Sequence, residues 1–249
     1  MFLRNQHPRA QRLAYLGLNG HLGSTDKGAT TEPMSEERRQ KMDYSSAQYR
    51  DDDFDGDNPL GKPDVPDHVQ DAIRTLIAWA GDDPDREGLR DTPKRVGRAW
   101  LEYCEGYKQD PAIHLSRIFE EVGGYDEIVL LKDIPFQSHC EHHLAPITGK
   151  AAIAYLPNKK VVGISKLARV LHGYAQRLQI QERLTAEVAK CIWDNLEPHG
   201  VAVVIEAQHG CMTGRGVRTP GVGMITSRVL GCFLEDQRSR KEVMSLMGY

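Results

Sequence analysis

The order in which apolar periodicity changes along this chain restricts its architecture more than any other feature. Val69, Ile73, Leu76, Ile77 and Ala80 follow a helical stripe that begins near Pro66. A second helix opens at Asp91-Thr92-Pro93, where Thr92 can cap and Pro93 suits the first helical position. Val96, Ala99, Trp100, Tyr103 and Tyr107 share a face of it. After Gly123-Gly124 the pattern turns to strands, one over residues 128–131 and one over 150–156, the latter followed by a turn at Asn158-Lys159. Residues 161–164 extend or re-enter the sheet. Ser165 then caps a helix carrying Leu167, Val170, Leu171, Tyr174 and Leu178, and another helix runs from about 182 to 195. Strands at 201–205 and 224–229 and a helix at 235–247 complete the chain. Two strands, two helices, two strands predict an α+β fold: a four-stranded antiparallel sheet with the helical pair between strands 2 and 3. Its helices are expected on one face, and alternating βαβ units are excluded.

Composition narrows the function. Lys and Arg total 32 against 35 Asp and Glu, a net charge of −3 that excludes the strongly basic footprint of a general nucleic-acid binder. The five cysteines are odd in number and lack the dense spacing of a secreted disulfide scaffold, so reduced thiols or metal ligands are expected. No run approaches the roughly 18 apolar residues of a membrane span, and the amino end lacks a secretory apolar core. A cytoplasmic protein without membrane or nucleic-acid partners is expected. Arg4, Arg9 and Arg12 precede the first acid, Asp26, a faint likeness to a transit peptide that a plain tail explains equally.

The densest chemistry lies in His139-Cys140-Glu141-His142-His143. Cys140 and His143 form a Cys-x-x-His pair, a spacing that lets one turn present a thiolate and an imidazole to the same tetrahedral ion. Gln208-His209-Gly210-Cys211-Met212 follows the strand at 201–205, where a chain leaving a sheet commonly displays functional side chains, and Cys211 is the natural third ligand. Three ligands leave one tetrahedral position for water, whose pKa zinc lowers to about 7. His142 and His209, one or two positions from proposed ligands, could move protons there. Two other readings stay open. A closed structural zinc site could be completed by Cys191, Cys232, His139 or His209. Alternatively, His139-Cys140-Glu141 matches half of a zinc nucleobase deaminase signature, whose Pro-Cys-x-x-Cys half is absent. Ser165-Lys166-Leu167-Ala168-Arg169 opens a helix and suits an anion, with Arg215 and Arg218 adding charge beyond Cys211, although each alone reads equally as solvated charge.

Together, Cys140-Glu141-His142-His143, Gly163 to Arg169, Gln181-Glu182-Arg183-Leu184-Thr185 and His209-Gly210-Cys211-Met212 resemble GTP cyclohydrolase I in order and spacing. Asp91-Thr92-Pro93-Lys94-Arg95 and the closing helix fit as well, so the resemblance covers about residues 66–249. It implies a tunnelling fold assembled as a homodecamer with active sites between subunits. It also implies conversion of GTP and water to 7,8-dihydroneopterin triphosphate and formate. On this resemblance Cys140, His143 and Cys211 are ligands of Zn2+, and His142 and His209 are the acid and base groups. Glu182 binds the guanine edge, and Ser165, Lys166, Arg169, Arg215 and Arg95 contact the substrate. The chain then divides into a disordered arm at 1–62, an amino-terminal helical region at 63–122 and a catalytic domain at 123–249.

Overall fold

In a computed structural model, residues 64–119 and 125–249 are described, and they belong to one compact unit. The expected arm at 1–62 lies outside the described residues. Helix α1 (Asp67–Trp79) is followed by α2 (Thr92–Tyr103) and two 3-10 segments, Glu105–Lys108 and Pro111–Leu115. Asp91, not Thr92, occupies the cap position of α2, and its side chain makes no cap bond. Tyr107 leaves the face of α2 for the first 3-10 segment, where its hydroxyl accepts from the amide of Leu178 at 3.1 Å. Helix α1 buries no residue fully: Leu76 of its apolar stripe is 62% exposed, and Trp79 beside the stripe 85%.

The sheet is built from β2 (Val129–Cys140), β3 (Pro146–Leu156), β6 (Gly200–His209) and β7 (Met224–Gly231), antiparallel throughout and in that spatial order. Between β3 and β6 lie α3 (Ile164–Ala175) and α4 (Gln181–Leu196), which is the arrangement read from the periodicity. Short β5 (Leu178–Gln179), in the link between these helices, adds a fifth strand parallel to the end of β2. The segment at 161–164 divides. Val161–Val162 (β4) pairs with Ile118–Phe119 (β1) in a separate two-stranded sheet, and Ile164 starts α3 with Gly163, not Ser165, at its cap.

Strand β2 runs nine residues beyond the predicted 128–131 end because a bulge absorbs the break in its pattern. The register with β3 shifts between Leu131 and Ile134, and Asp133 takes φ +56°. One extra residue on β2 restores the alternation, so that Ile134, Phe136, Ser138 and Cys140 all turn inward. Pro135 is tolerated because β5 pairs only with His139 and Cys140, leaving Pro135 on a sheet edge. Its carbonyl lies 3.0 Å from Nε2 of His172 on α3.

The expectation of helices on one face is corrected. Val201, Val203 and Ile205 pack with α3 and α4, whereas Ala202 and Val204 pack on the opposite face with Phe233, Val243 and Met247. Those last three come from α6 (Cys232–Glu235) and α7 (Gln237–Met247), separated at Asp236, whose carboxylate caps α7 by accepting from Ser239 N. A strand covered on both sides has no polar alternation, which is why 201–205 is continuously apolar. Gly231, where β7 meets α6, has φ 59° and ψ −138°, and a Cβ there would lie 2.3 Å from the carbonyl oxygen of His199. Gly231→Ala is therefore expected to cost about 2 to 4 kcal/mol, read as a lowered unfolding temperature. An unchanged temperature would show that the turn can relax.

Candidate metal centre

Strand registers bring two distant segments to one end of the sheet. His139 pairs with Pro146 and Ile147 with His209, so the chain leaves β2 and β6 at the same end of the sheet, on either side of the start of β3. Beyond β2 a tight turn closes, with Leu144 N donating to Cys140 O and Cys140 N to Ala145 O, each at 2.8 Å. Leu144 takes φ +55° in that turn. Beyond β6, the four-residue helix α5 (Gly210–Thr213) presents Cys211 from its first turn. The thiols of Cys140 and Cys211 and a ring nitrogen of His143 all lie within 4.8 Å of one another. Cys140 Sγ is 3.9 Å from His143 Nδ1. Tetrahedral zinc with bonds of about 2.0 to 2.3 Å separates its ligands by roughly 3.5 to 3.8 Å, so this donor set fits such an ion after small side-chain adjustments. Burial pushes the Cys211 thiol up, with the neighbouring Cys140 adding to the effect and Arg215 opposing it. A bound cation would oppose that shift, because it takes the thiolate.

His142 stands at the rim with its side chain 64% exposed, Nδ1 3.9 Å from Cys140 Sγ and Nε2 3.8 Å from a Glu141 oxygen. Glu141 is itself committed to Arg183 through an ion pair. Arg183 Nε also donates to Gln179 Oε1 at 3.0 Å, and Gln179 Nε2 donates to Glu187 at 2.8 Å. His209 is half-buried and its Nε2 lies 2.8 Å from Gln181 Oε1. Burial lowers its pKa, and the charge of Glu182 works against that shift.

The other sequence-predicted residues sort by position. Glu182, exposed at the start of α4, acts on His209, and Arg215 acts on Cys211, so both belong to this end of the sheet. Ser165, Lys166 and Arg169 occupy the first turns of α3, where the two cations face His114. The opposite end of α3 leads into β5 beside Cys140, and along the helix axis Ser165 and Arg169 stand about 15 and 9 Å before that end. Arg95 lies on α2, exposed and 3.6 Å from Asp91.

Of the residues that could have closed a structural site, His139, Cys191 and Cys232 stand apart from the cluster, whereas His209 lies at the same end of the sheet with its Nε2 on Gln181. His139 follows strand alternation to the face opposite Cys140, buried between Trp100 and Tyr103 with ring centroids 5.5 and 4.4 Å away. That also removes the first residue of the deaminase signature. Cys191 is buried on α4 against Tyr174 and Asn195, and Cys232 sits where the amide of α6 bonds His199 O. Gln181 and Arg183, whose side chains bond His209 and Glu141, are not singled out by the sequence as individual residues. A polar residue at a helix start reads as solvated, and only the strands packed over Gln181 bury it.

A family model described as GTP cyclohydrolase I matches residues 69–248. GTP cyclohydrolase 1 of Hyphomonas neptunium is 55% identical over 180 residues, 72% of this chain and 87% of the relative. That of Brucella anthropi is 56% identical over 171 residues, 69% of this chain and 80% of the relative. A solved structure, the archaeosine synthase QueF-Like in the apo form, aligns with 42% of this chain and 93% of its own at 18% identity and a TM-score of 0.35.

Proposed function

Because the chain belongs to the GTP cyclohydrolase I family, we propose that Cys140, His143 and Cys211 hold zinc beside the bound nucleotide, with His142 and His209 moving the protons of the reaction. The enzyme converts GTP and water to 7,8-dihydroneopterin triphosphate and formate, the first step of folate and pterin biosynthesis. The observation that carries the metal assignment is the convergence of three soft or borderline donors from two strand ends, with no fourth ligand atom among the described residues within 4.8 Å of all three. Zinc held there supplies a Lewis acid that brings the acidity of water to about pH 7. Glu182 accepts from guanine N1–H and the exocyclic amine together, a bidentate pair that adenine, with an acceptor at N1, would repel. Arg215, beside Cys211, neutralises substrate anion near the metal. No helix among the described residues is long and apolar enough to cross a membrane, which fits the cytoplasmic site we assign.

Ser165, Lys166 and Arg169 belong, on this reading, to the triphosphate site of a neighbouring copy. Their place at the far end of α3 supports this, as does the outer edge of β7, which has no partner strand among the described residues. A ring closed by edge pairing, doubled to a homodecamer, would bring the two half-sites together, and Arg95 would reach a third. Lys166→Ala and Cys211→Ser should each be inactive alone yet recover activity when co-assembled. Random mixing in equal amounts restores roughly a quarter of the sites, because half of the copies supply each intact part. Mixed oligomers without recovered activity would place the whole site within one chain.

The test of the function is to measure metal content together with formate release from GTP by the full chain. Stoichiometric zinc with formate is expected. Zinc without formate would mean a structural site, and ammonia in place of formate would mean a deaminase.

A further inference from the structure

The bonds around Gln181 leave one assignment for its amide. Its side-chain nitrogen lies 3.0 Å from Ile205 O and 2.9 Å from Met224 O, on β6 and β7. Backbone carbonyls only accept, so the group facing them must be the NH2. Thr226 Oγ1 is a third neighbour of the same nitrogen at 3.1 Å. Thr185 Oγ1 donates to Gln181 O at 2.7 Å, so the 2.7 Å contact between Thr185 and Thr226 must be donated by Thr226. A lone pair of Thr226 is thereby left to accept from Gln181. Gln181 is 1% exposed, and turning its amide over would set its oxygen against two carbonyl oxygens.

Gln181 Oε1 can then only accept, and the atom 2.8 Å from it is His209 Nε2. That nitrogen must carry the proton. We propose that Gln181 is a positioning residue that fixes His209 as its Nε2–H tautomer, so that Nδ1 meets the substrate as an unprotonated acceptor. The inference rests on the reading of His209 as a residue of the reaction and assigns it the accepting role, leaving the exposed His142 as the more mobile proton carrier. In a hydrolytic step the water oxygen bonds to the carbon under attack and the water proton passes to Nδ1. The carbon–nitrogen pair leaves on nitrogen, which takes the proton back, with nothing oxidised or reduced. His209 keeps its Nε2–H bond to Gln181 throughout and ends as it began.

The test uses the full-length, zinc-loaded enzyme labelled with nitrogen-15 in histidine, with the His209 signals identified by their loss in His209→Asn. A protonated Nε2 and a bare Nδ1 are expected at neutral pH, and a protonated Nδ1 in the neutral ring would overturn the proposal. Gln181→Met should mix the tautomers and lower kcat by about 10- to 100-fold, the usual effect of removing a partner one step from the reacting groups, with zinc content and KM little changed. Thr226→Val, which disturbs the same polar cluster but spares the Gln181–His209 bond, should retain the tautomer and most of kcat. If Gln181→Met folds and keeps both tautomer and kcat, Gln181 is only structural. A Thr226→Val loss equal to that of Gln181→Met would say the same. The nitrogen spectrum reports the tautomer whether or not formate is released, so failure of this proposal is separable from failure of the functional reading.

Discussion

Cys211→Ser is expected to lose zinc and to reduce formate release from GTP by roughly a thousandfold or more, because a hydroxyl is a poor substitute for a thiolate at a site of only three protein ligands. The unfolding temperature should move by only a few degrees. Cys211 sits on a four-residue helix, α5, half-buried at the margin of the main apolar cluster and not among its fully buried residues, so the fold does not depend on it as a zinc finger depends on its closed site. Three readings taken together decide the matter: zinc stoichiometry, thermal unfolding and formate release. Full zinc retention with normal turnover would refute the ligand assignment. Global unfolding on loss of the thiol would instead mark the centre as structural.

Glu182→Gln is expected to weaken GTP recognition by about 30- to 1000-fold in affinity or in kcat/KM. Replacing one charge-assisted acceptor by an amide that donates toward a guanine donor costs roughly 2 to 4 kcal/mol. The competing role for Glu182, a carboxylate in the first turn of α4, contributes about 0.3 to 1 kcal/mol of stability and nothing to base selection. The substitution also removes a charge that acts on His209, so a loss of rate alone would be ambiguous. Comparing GTP with ITP resolves this, since both meet the same His209 and ITP lacks only the exocyclic amine. The mutant should lose its preference for GTP over ITP. A preserved preference with a shifted unfolding temperature would make Glu182 a helix residue only.

Much of this protein was determined by its sequence. The helical stripe of α3, the apolar run of β6 and the order of strands around the helical pair follow from local side-chain periodicity, which the backbone geometry of each element imposes directly. Cys140 and His143 are neighbours for the same reason: three positions apart, they are brought together by a single turn. What tertiary structure decided are relations between segments far apart in the chain. The bulge at Asp133 carries β2 through a stretch that reads as a break, because the pairing with β3 compensates for one residue in an unfavourable conformation. Packing of α6 and α7 on the second face of the sheet could not be read from a helix pattern that fits either face. The meeting of Cys211 with Cys140 depends on the register of β3 with both β2 and β6. The proton of His209 depends on Gln181, which is polar and unremarkable in sequence. It is placed by two strands whose carbonyls fix its amide, and hydrogen-bond direction is a property of three-dimensional surroundings that no residue type carries by itself.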